Sequence, residues 1–246
     1  VAYRLIALDL DGTLIGRNRQ ISETNRKWIA RAREAGIQVT LATGRPFAEA
    51  AGYAAQLGLE APLVVNNGSE IRSLPDVLHR REELDPGSVQ ELFRLLDRYG
   101  NEASFWAHTV QGTIGPDNRH QLSGPIQWLQ FAVSSKNPAV LEEIVREVKS
   151  WNAFEISNSH PANMECNPRG VTKASGLAEV CRLLGIGMSE VIAAGDSLND
   201  IPMIRAAGLG IAMGNAQQPV KMAADAVAPS HLEDGVAEII RKYILG

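Results

Sequence analysis

The stretch Tyr3-Arg4-Leu5-Ile6-Ala7-Leu8-Asp9-Leu10-Asp11-Gly12-Thr13 opens with an apolar run that ends at two carboxylates. A short apolar segment ending in acids and a glycine reads as a buried strand running into a ligand-bearing loop. Two carboxylates two residues apart can share one hard cation, and Mg2+ takes oxygen ligands while keeping several waters. A carboxylate at a strand end can also serve as a nucleophile. Gly12 allows a tight turn, and Thr13 can fix the loop through its hydroxyl. Asp-x-Asp alone is also a common loop or helix cap, so its meaning depends on its surroundings.

Outward from this stretch, strand and helix patterns alternate. Ser22 can cap a helix over 23–35 that Gly36 stops, and an apolar run over 37–42 ends at Thr43. Pro46 can open a helix to residue 57 with Gly58 beyond it, and the run Leu63–Val65 ends at Asn66. The last third repeats the rhythm. Thr172 can cap a helix over Lys173–Leu184 followed by Gly185, and the run 191–194 leads to Gly195 and Asp196. A helix over 200–207 reaches Gly208, the run 209–213 ends at Gly214 and Asn215, and 235–245 reads as a closing helix. This rhythm predicts an α/β fold, a Rossmann-like parallel sheet covered by helices. All strand carboxyl ends of such a sheet lie on one edge, so Asp9, Thr43, Asn66, Asp196 and Asn215 should converge on one crevice.

The middle of the chain differs. Pro86–Tyr99 and Pro138–Trp151 read as amphipathic helices, and strand-like runs occupy 103–110, 126–134, Phe154–Ser157 and 163–166. Three of the four tryptophans, Trp106, Trp128 and Trp151, lie here. We read this as an inserted α+β cap domain over 83–167, with the core formed by 1–82 and 168–246. The connections near 81–85 and 167–170 could act as hinges, Pro168 and Gly170 marking the second, and would let the cap close as a lid. On the strand at 103–110, Ser104, Trp106 and His108 share one face by alternation. That face either meets the substrate's leaving group or leaves Trp106 packed under the cap helices.

Of 246 residues, 45% are hydrophobic and 21% charged, the range of an ordinary globular protein. The net charge is -4 and no basic block occurs, which argues against nucleic acid or an anionic membrane as the main partner. Cys166 and Cys181 read as free thiols, with neither a disulfide framework nor a thiolate metal site. No run approaches the ~20 apolar residues of a membrane span. The first nine residues are too short for a secretory leader, so cytoplasmic residence is expected. No zinc spacing, Gly-x-Gly-x-x-Gly or Walker-type loop is present.

The 9–13 segment after an apolar strand resembles the first signature of the haloacid dehalogenase (HAD) superfamily. Ala42-Thr43-Gly44-Arg45 resembles the second, Lys173 at a helix start the third, and Gly195-Asp196-Ser197-Leu198-Asn199-Asp200 the fourth. All four stand in the family's order. The insertion between the second and third, with Asn66-Asn67-Gly68-Ser69 and Gly214-Asn215-Ala216, resembles the Cof-like branch with a C2B cap. The resemblance implies a Mg2+-dependent phosphatase in which Asp9 is the nucleophile and forms an aspartyl-phosphate. Asp11 would be general acid and base. Mg2+ would be held by the carboxylates of Asp9 and Asp196 and the Asp11 main-chain carbonyl, with Asp200 supporting the metal's water shell. Thr43, the Gly44 N–H, Lys173 and Asn199 would hold the phosphate. Arg45 would reach the substrate or pair with a core acid. The expected substrates are small phosphorylated metabolites such as sugar phosphates, handled by a monomer or weak homodimer. A phosphomutase acting on a hexose phosphate and a non-catalytic sensor of a phosphorylated ligand are the alternatives. A dehalogenase would have no need of Asp11.

Overall fold

Apolar runs of three to five residues between turn formers become strands, and the longer amphipathic stretches become helices. The computed structural model describes all residues except Val1, Arg17 and Leu122. In chain order it contains β1 (Leu5–Leu8), α1 (Glu23–Glu34), β2 (Gln38–Leu41), α2 (Phe47–Gln56), β3 (Leu63–Val65), β4 (Glu70–Ser73) and β5 (Val77–Arg81). There follow α3 (Pro86–Tyr99), β6 (Ser104–Thr109), β7 (Gly112–Ile114), β8 (Trp128–Ser134), α4 (Pro138–Trp151), β9 (Phe154–Ser157) and β10 (Asn163–Pro168). The chain ends with α5 (Lys173–Leu184), β11 (Val191–Gly195), α6 (Ile201–Ala206), β12 (Leu209–Ala212), α7 (Gln218–Ala223), β13 (Ala226–Val227) and α8 (Gly235–Tyr243).

The chain divides into two units, Val1–Arg80 with Thr172–Gly246, and Arg81–Val171. The second border lies beyond residue 167 because β10 continues through Pro168, where it still pairs with Phe154 of β9.

In the first unit the main sheet has the order β13-β12-β11-β1-β2, with every pair parallel. Leu5 of β1 stands opposite Val191 on one side and Gln38 on the other. The chain therefore leaves β1 toward opposite sides of the sheet, and the carboxyl end of β1 is where the crevice opens. Alternation along the strands decides what covers each face. Ile6 and Leu8 pack with Ile29 of α1, Ala50 and Ala54 of α2, and Ile239 and Ile240 of α8. Leu5 and Ala7 point the other way, toward Leu177 and Val180 of α5 and Met203 of α6. Each such aliphatic side chain, fully buried, stabilises the fold by roughly 1.5–3 kcal/mol.

The third apolar run corrects the expectation of a further full strand in this sheet. β3 makes a single parallel bridge, Ala42 to Val64, and otherwise pairs antiparallel with β4, Leu63 opposite Arg72 and Val65 opposite Glu70. Asn66, Asn67 and Gly68 all take positive φ, 49°, 55° and 105°, and this reverses the chain into the sheet β3-β4-β5. The reversal packs against the start of α5. A side chain at Gly68 would collide with the Thr172 carbonyl oxygen. Thr172 caps α5 by accepting from the Ser175 N–H, and the Ser175 hydroxyl accepts from the Thr172 N–H in return.

The second unit is an antiparallel sheet, β7-β6-β8-β10-β9, whose apolar face carries α3 and α4. Phe93 of α3 meets Phe105 and Phe131 edge-on, with centroids 5.2 Å apart in both pairs. Phe105 and Ala107 belong to this cluster, so Ser104, Trp106 and His108 lie on the opposite face, and Trp106 does not pack beneath the helices. His108 Nδ1 lies 3.0 Å from Gln130 Oε1, and burial pushes its pKa down to about 4, leaving a neutral imidazole.

Gly68→Ala should destabilise the protein by about 2 kcal/mol or more, because it adds positive-φ strain to a backbone collision. Thermal melting should record a midpoint several degrees lower; an unchanged midpoint would mean the turn and α5 separate without cost.

Candidate active site

Asp9 leaves β1 with its N–H bonded to the Ala194 carbonyl of β11 at 3.0 Å. The loop folds back at once, as the N–H groups of Leu14 and Ile15 both bond to the Leu10 carbonyl at 2.9 Å. Gly12 has φ +82°, and any side chain there would collide with the Asp196 carboxylate. Only glycine lets Asp196 approach the loop so closely. On the other side, the Ala42 N–H bonds to the Leu8 carbonyl at 2.8 Å, which brings Thr43 out beside Asp9.

Lys173 is the first residue of α5 and has no exposed side-chain surface. An ammonium in a first helical turn opposes the helix dipole, so other charges must hold it. Its Nζ donates to Asp9 Oδ1 and to Asp200 Oδ1, both at 2.6 Å. The other oxygen of Asp200 accepts from the N–H groups of Asp196 and Ser197 at 2.9 Å each. Gly195 makes room for this, since a side chain there would overlap the Asp200 carboxyl. Asp200 therefore anchors both Lys173 and the Asp196 loop.

Oxygens of Asp9, Asp196 and Asp200 all lie within 4.8 Å of one another. Two buried carboxylates, Asp9 and Asp200, bond to one ammonium, and the half-buried Asp196 stands beside them. Burial, then the charges of Asp200 and Asp196, raise the Asp9 pKa despite the pull of Lys173. Burial and Asp200 push Asp196 up to about 7. For Lys173, burial alone would lower the pKa, but Asp200 and Asp9 more than offset it and raise it. The site carries more buried negative charge than one lysine balances. Asp196 Oδ1 is buried with no protein partner. An all-oxygen donor set, uncompensated acids and an orphaned carboxylate oxygen fit a hard divalent cation. With the Asp200 oxygens committed to Lys173 and the loop, Asp9 and Asp196 are the side chains able to bind one.

The expected phosphate donors differ in setting. Thr43 and Gly44 lie in the loop before α2, which begins at Phe47, so they are not themselves at a helix start. The Thr43 hydroxyl accepts from the Arg45 N–H at 3.1 Å. Among the described residues the Gly44 N–H meets no protein acceptor. The reversed turn braces this loop: the Asn67 N–H bonds to the Thr43 carbonyl at 3.0 Å, and the Asn66 N–H to the Arg45 carbonyl at 2.9 Å. Asn199 is buried and gives Nδ2 to Asn67 Oδ1 at 3.1 Å, while its own Oδ1 has no protein partner. Asp11 stands outside the acidic cluster with its side chain 56% exposed, and Arg45 pairs with it instead of standing free for a substrate.

The sequence assigns Asn67 no role, and it places Asn215 at the crevice without one. Asn215 Nδ2 donates to the Gly12 carbonyl at 2.8 Å and lies 3.5 Å from Asp196 Oδ2, and its Oδ1 accepts from the His231 N–H at 3.0 Å. It ties the Asp9–Thr13 loop to the Asp196 side of the crevice. Its place at a strand end was the available signal.

The profile of the haloacid dehalogenase-like hydrolases matches residues 6–126 and 124–240. The chain belongs to that family. This hydrolase is 39% identical, over all of its length and 97% of the relative's, to the 5-amino-6-(5-phospho-D-ribitylamino)uracil phosphatase YcsE of Bacillus subtilis. A phosphoglycolate phosphatase of Methanopyrus kandleri is 30% identical over 98% of this chain and 97% of its own. The solved structure of a haloacid dehalogenase-like hydrolase from B. subtilis superposes with a TM-score of 0.90 at 25% identity, covering 98% of this chain and all of that one. The hydrolase is a phosphatase of the phosphomonoester class, Cof-like within its family.

Lys173→Met should cost about 3–5 kcal/mol, because it strands two buried carboxylates without a cation. Burial already raises the Asp9 pKa, and with the pull of Lys173 gone this carboxyl binds its proton more tightly in the folded than in the unfolded state, so stability falls as pH rises. Denaturant unfolding in chelator should show a larger loss at pH 8 than at pH 6; equal losses would mean the ion pair is not what the lysine supplies.

Proposed function

We propose that this enzyme is a Mg2+-dependent phosphatase of small phosphorylated metabolites that works through an aspartyl-phosphate on Asp9. The observation that carries the reading is Asp9 held at 2.6 Å by a fully buried lysine, beside an Asp196 oxygen with no protein partner. The Thr43 hydroxyl, the Gly44 N–H, Asn199 and Lys173 bind the phosphate oxygens and orient the phosphorus toward Asp9. A carboxylate oxygen of Asp9 attacks phosphorus, the bond to the leaving oxygen breaks, and Asp11 gives that oxygen a proton. Asp11 then takes a proton from water as the water attacks the phosphorus, and the bond to Asp9 breaks to release inorganic phosphate. The carboxylates of Asp9 and Asp196 and the carbonyl of Asp11 would hold Mg2+, whose charge would offset repulsion between the anionic nucleophile and the anionic phosphate. Asp200 keeps Lys173 and the Asp196 loop in place, a role beyond support of the metal's water shell.

The names of the two relatives specify small phosphomonoesters, which supports a substrate of that size. The absence of a basic block and the net charge of -4 support a reading without nucleic-acid or membrane partners. Among the described residues no helix is long and apolar enough to cross a membrane. We take the enzyme to act in the cytoplasm, as a monomer or weak homodimer.

The test is phosphate release from an aryl phosphate. Asp9→Asn should abolish turnover while circular dichroism stays native, and a variant keeping more than about 5% of the rate would overturn the covalent route. Chelation should stop the reaction and Mg2+ should restore it. Because Asp196 takes up a proton at about pH 7, protons compete with the cation below that pH. The Mg2+ concentration giving half-maximal rate should therefore rise as pH falls from 8 to 6; a constant requirement would remove Asp196 from the metal site.

A further inference from the structure

Asp11 is assigned the proton transfers, yet it sits on a loop with more than half of its side chain in solvent. A carboxylate so placed has many orientations open to it unless something selects one. Arg45 Nε donates to one of its oxygens and Nη2 to the other, both at 2.7 Å. Among the described residues no other side chain bonds to Asp11. Arg45 itself is held on every side. Its Nη1 reaches Glu49 at 3.1 Å, and its guanidinium carbon lies 5.6 Å from the centre of the Tyr53 ring. The Tyr53 hydroxyl is fixed on the Arg19 carbonyl at 3.1 Å. The Arg45 N–H and carbonyl are tied to Thr43 and Asn66, and only 14% of its side chain is exposed. The planar fork transmits this fixity to the carboxylate, in plane as well as in distance. Two carboxylates, Asp11 and Glu49, already match its single charge, leaving little to attract a phosphate.

We propose that Arg45 is the positioning residue for Asp11: the fork takes one lone pair of each oxygen, and a remaining lone pair, held toward the crevice, takes the proton from water and carries it to the leaving oxygen. The proposal rests on the reading of Asp11 as acid and base. It predicts that Arg45 matters only through Asp11, and most where the leaving group needs a proton. A lysine would keep the charge and lose the fork.

The experiment compares kcat and KM for glycerol phosphate and p-nitrophenyl phosphate in Arg45→Ala, Arg45→Lys, Asp11→Asn and the doubles of each Arg45 variant with Asp11→Asn, with thermal melting of each. Asp11→Asn should lose about 100-fold or more on glycerol phosphate and far less on the aryl ester. Both Arg45 variants should lose about tenfold or more in kcat on glycerol phosphate, with KM nearly unchanged and a smaller loss on the aryl ester. In the Asp11→Asn background the Arg45 substitutions should add almost nothing. Rescue by lysine, a KM rise shared by both substrates, or losses that multiply in the doubles would overturn the positioning role. If Arg45→Ala does not fold, the cycle with Arg45→Lys gives the same decision. Equal losses on both substrates in Asp11→Asn itself would overturn the acid–base reading and this proposal together; a selective Asp11→Asn beside an unselective Arg45 pair would overturn this proposal alone.

Discussion

A lysine ammonium with no access to water, held between two carboxylates, is the constraint on which the rest of this structure depends. Moving such a charge out of water costs several kcal/mol unless its partners and their geometry replace the lost hydration. Here the replacement comes from Asp9, 164 residues away along the chain, and from Asp200, 27 residues away. Both bonds require β1, the start of α5 and the loop after β11 to meet at one point. The parallel pairing of β1 with β11 supplies two of these ends, and the close packing of Gly68 on Thr172 supplies the third. The segment Arg81–Val171 departs and returns between these fixed points, so it is accommodated without disturbing them. It returns at Thr172, the cap residue immediately before Lys173.

Glycines at Gly12 and Gly195 show the same constraint from the backbone side. Each removes a side chain where a carboxylate must come within contact distance of the main chain, Asp196 at the first and Asp200 at the second. The result is a crevice in which acids are crowded more closely than their charges alone would allow. Burial and repulsion raise Asp9 and Asp196, so both acids bind protons more readily than free carboxylates do. To act as the proposed nucleophile Asp9 must be ionised, and a divalent cation beside these two groups would favour that form.

What could be read from the residues followed from local rules. The apolar run before Asp9, the caps Ser22 and Thr172, and the glycines closing helices are properties of neighbouring residues, and they placed the strands and helices of the parallel sheet. Family membership was legible because its four signatures are short and keep their order. The reversal at Asn66, Asn67 and Gly68 was not. An asparagine in the left-handed region is a choice among backbone states that no apolar periodicity reports, so β3 looked like one more sheet strand and the β4-β5 hairpin went unseen. The same holds for Asn67 and Asn215. Their partners Asn199 and Gly12 lie 132 and 203 residues away, and the strand-end position of Asn215 pointed to the crevice without marking its partner. Arg45 lay between two readings until Asp11 was found across its fork.

Asp9 and Asp11 are two residues apart and chemically alike, yet the fold gives them opposite surroundings. Asp9 is buried against a lysine, while Asp11 is more than half exposed against an arginine. The difference arises in the turn that Gly12 permits, which withdraws Leu10 into the core and swings the second carboxylate out. Each setting suits a different half of the chemistry. As the proposed nucleophile, Asp9 would gain from a compact charge beside it that would also serve the phosphate. As the proposed acid and base, Asp11 would have to stay in touch with solvent, and so would need its orientation fixed by something other than burial. A guanidinium fork can do this from the side, whereas a buried ammonium would draw the group into the crevice it has to face.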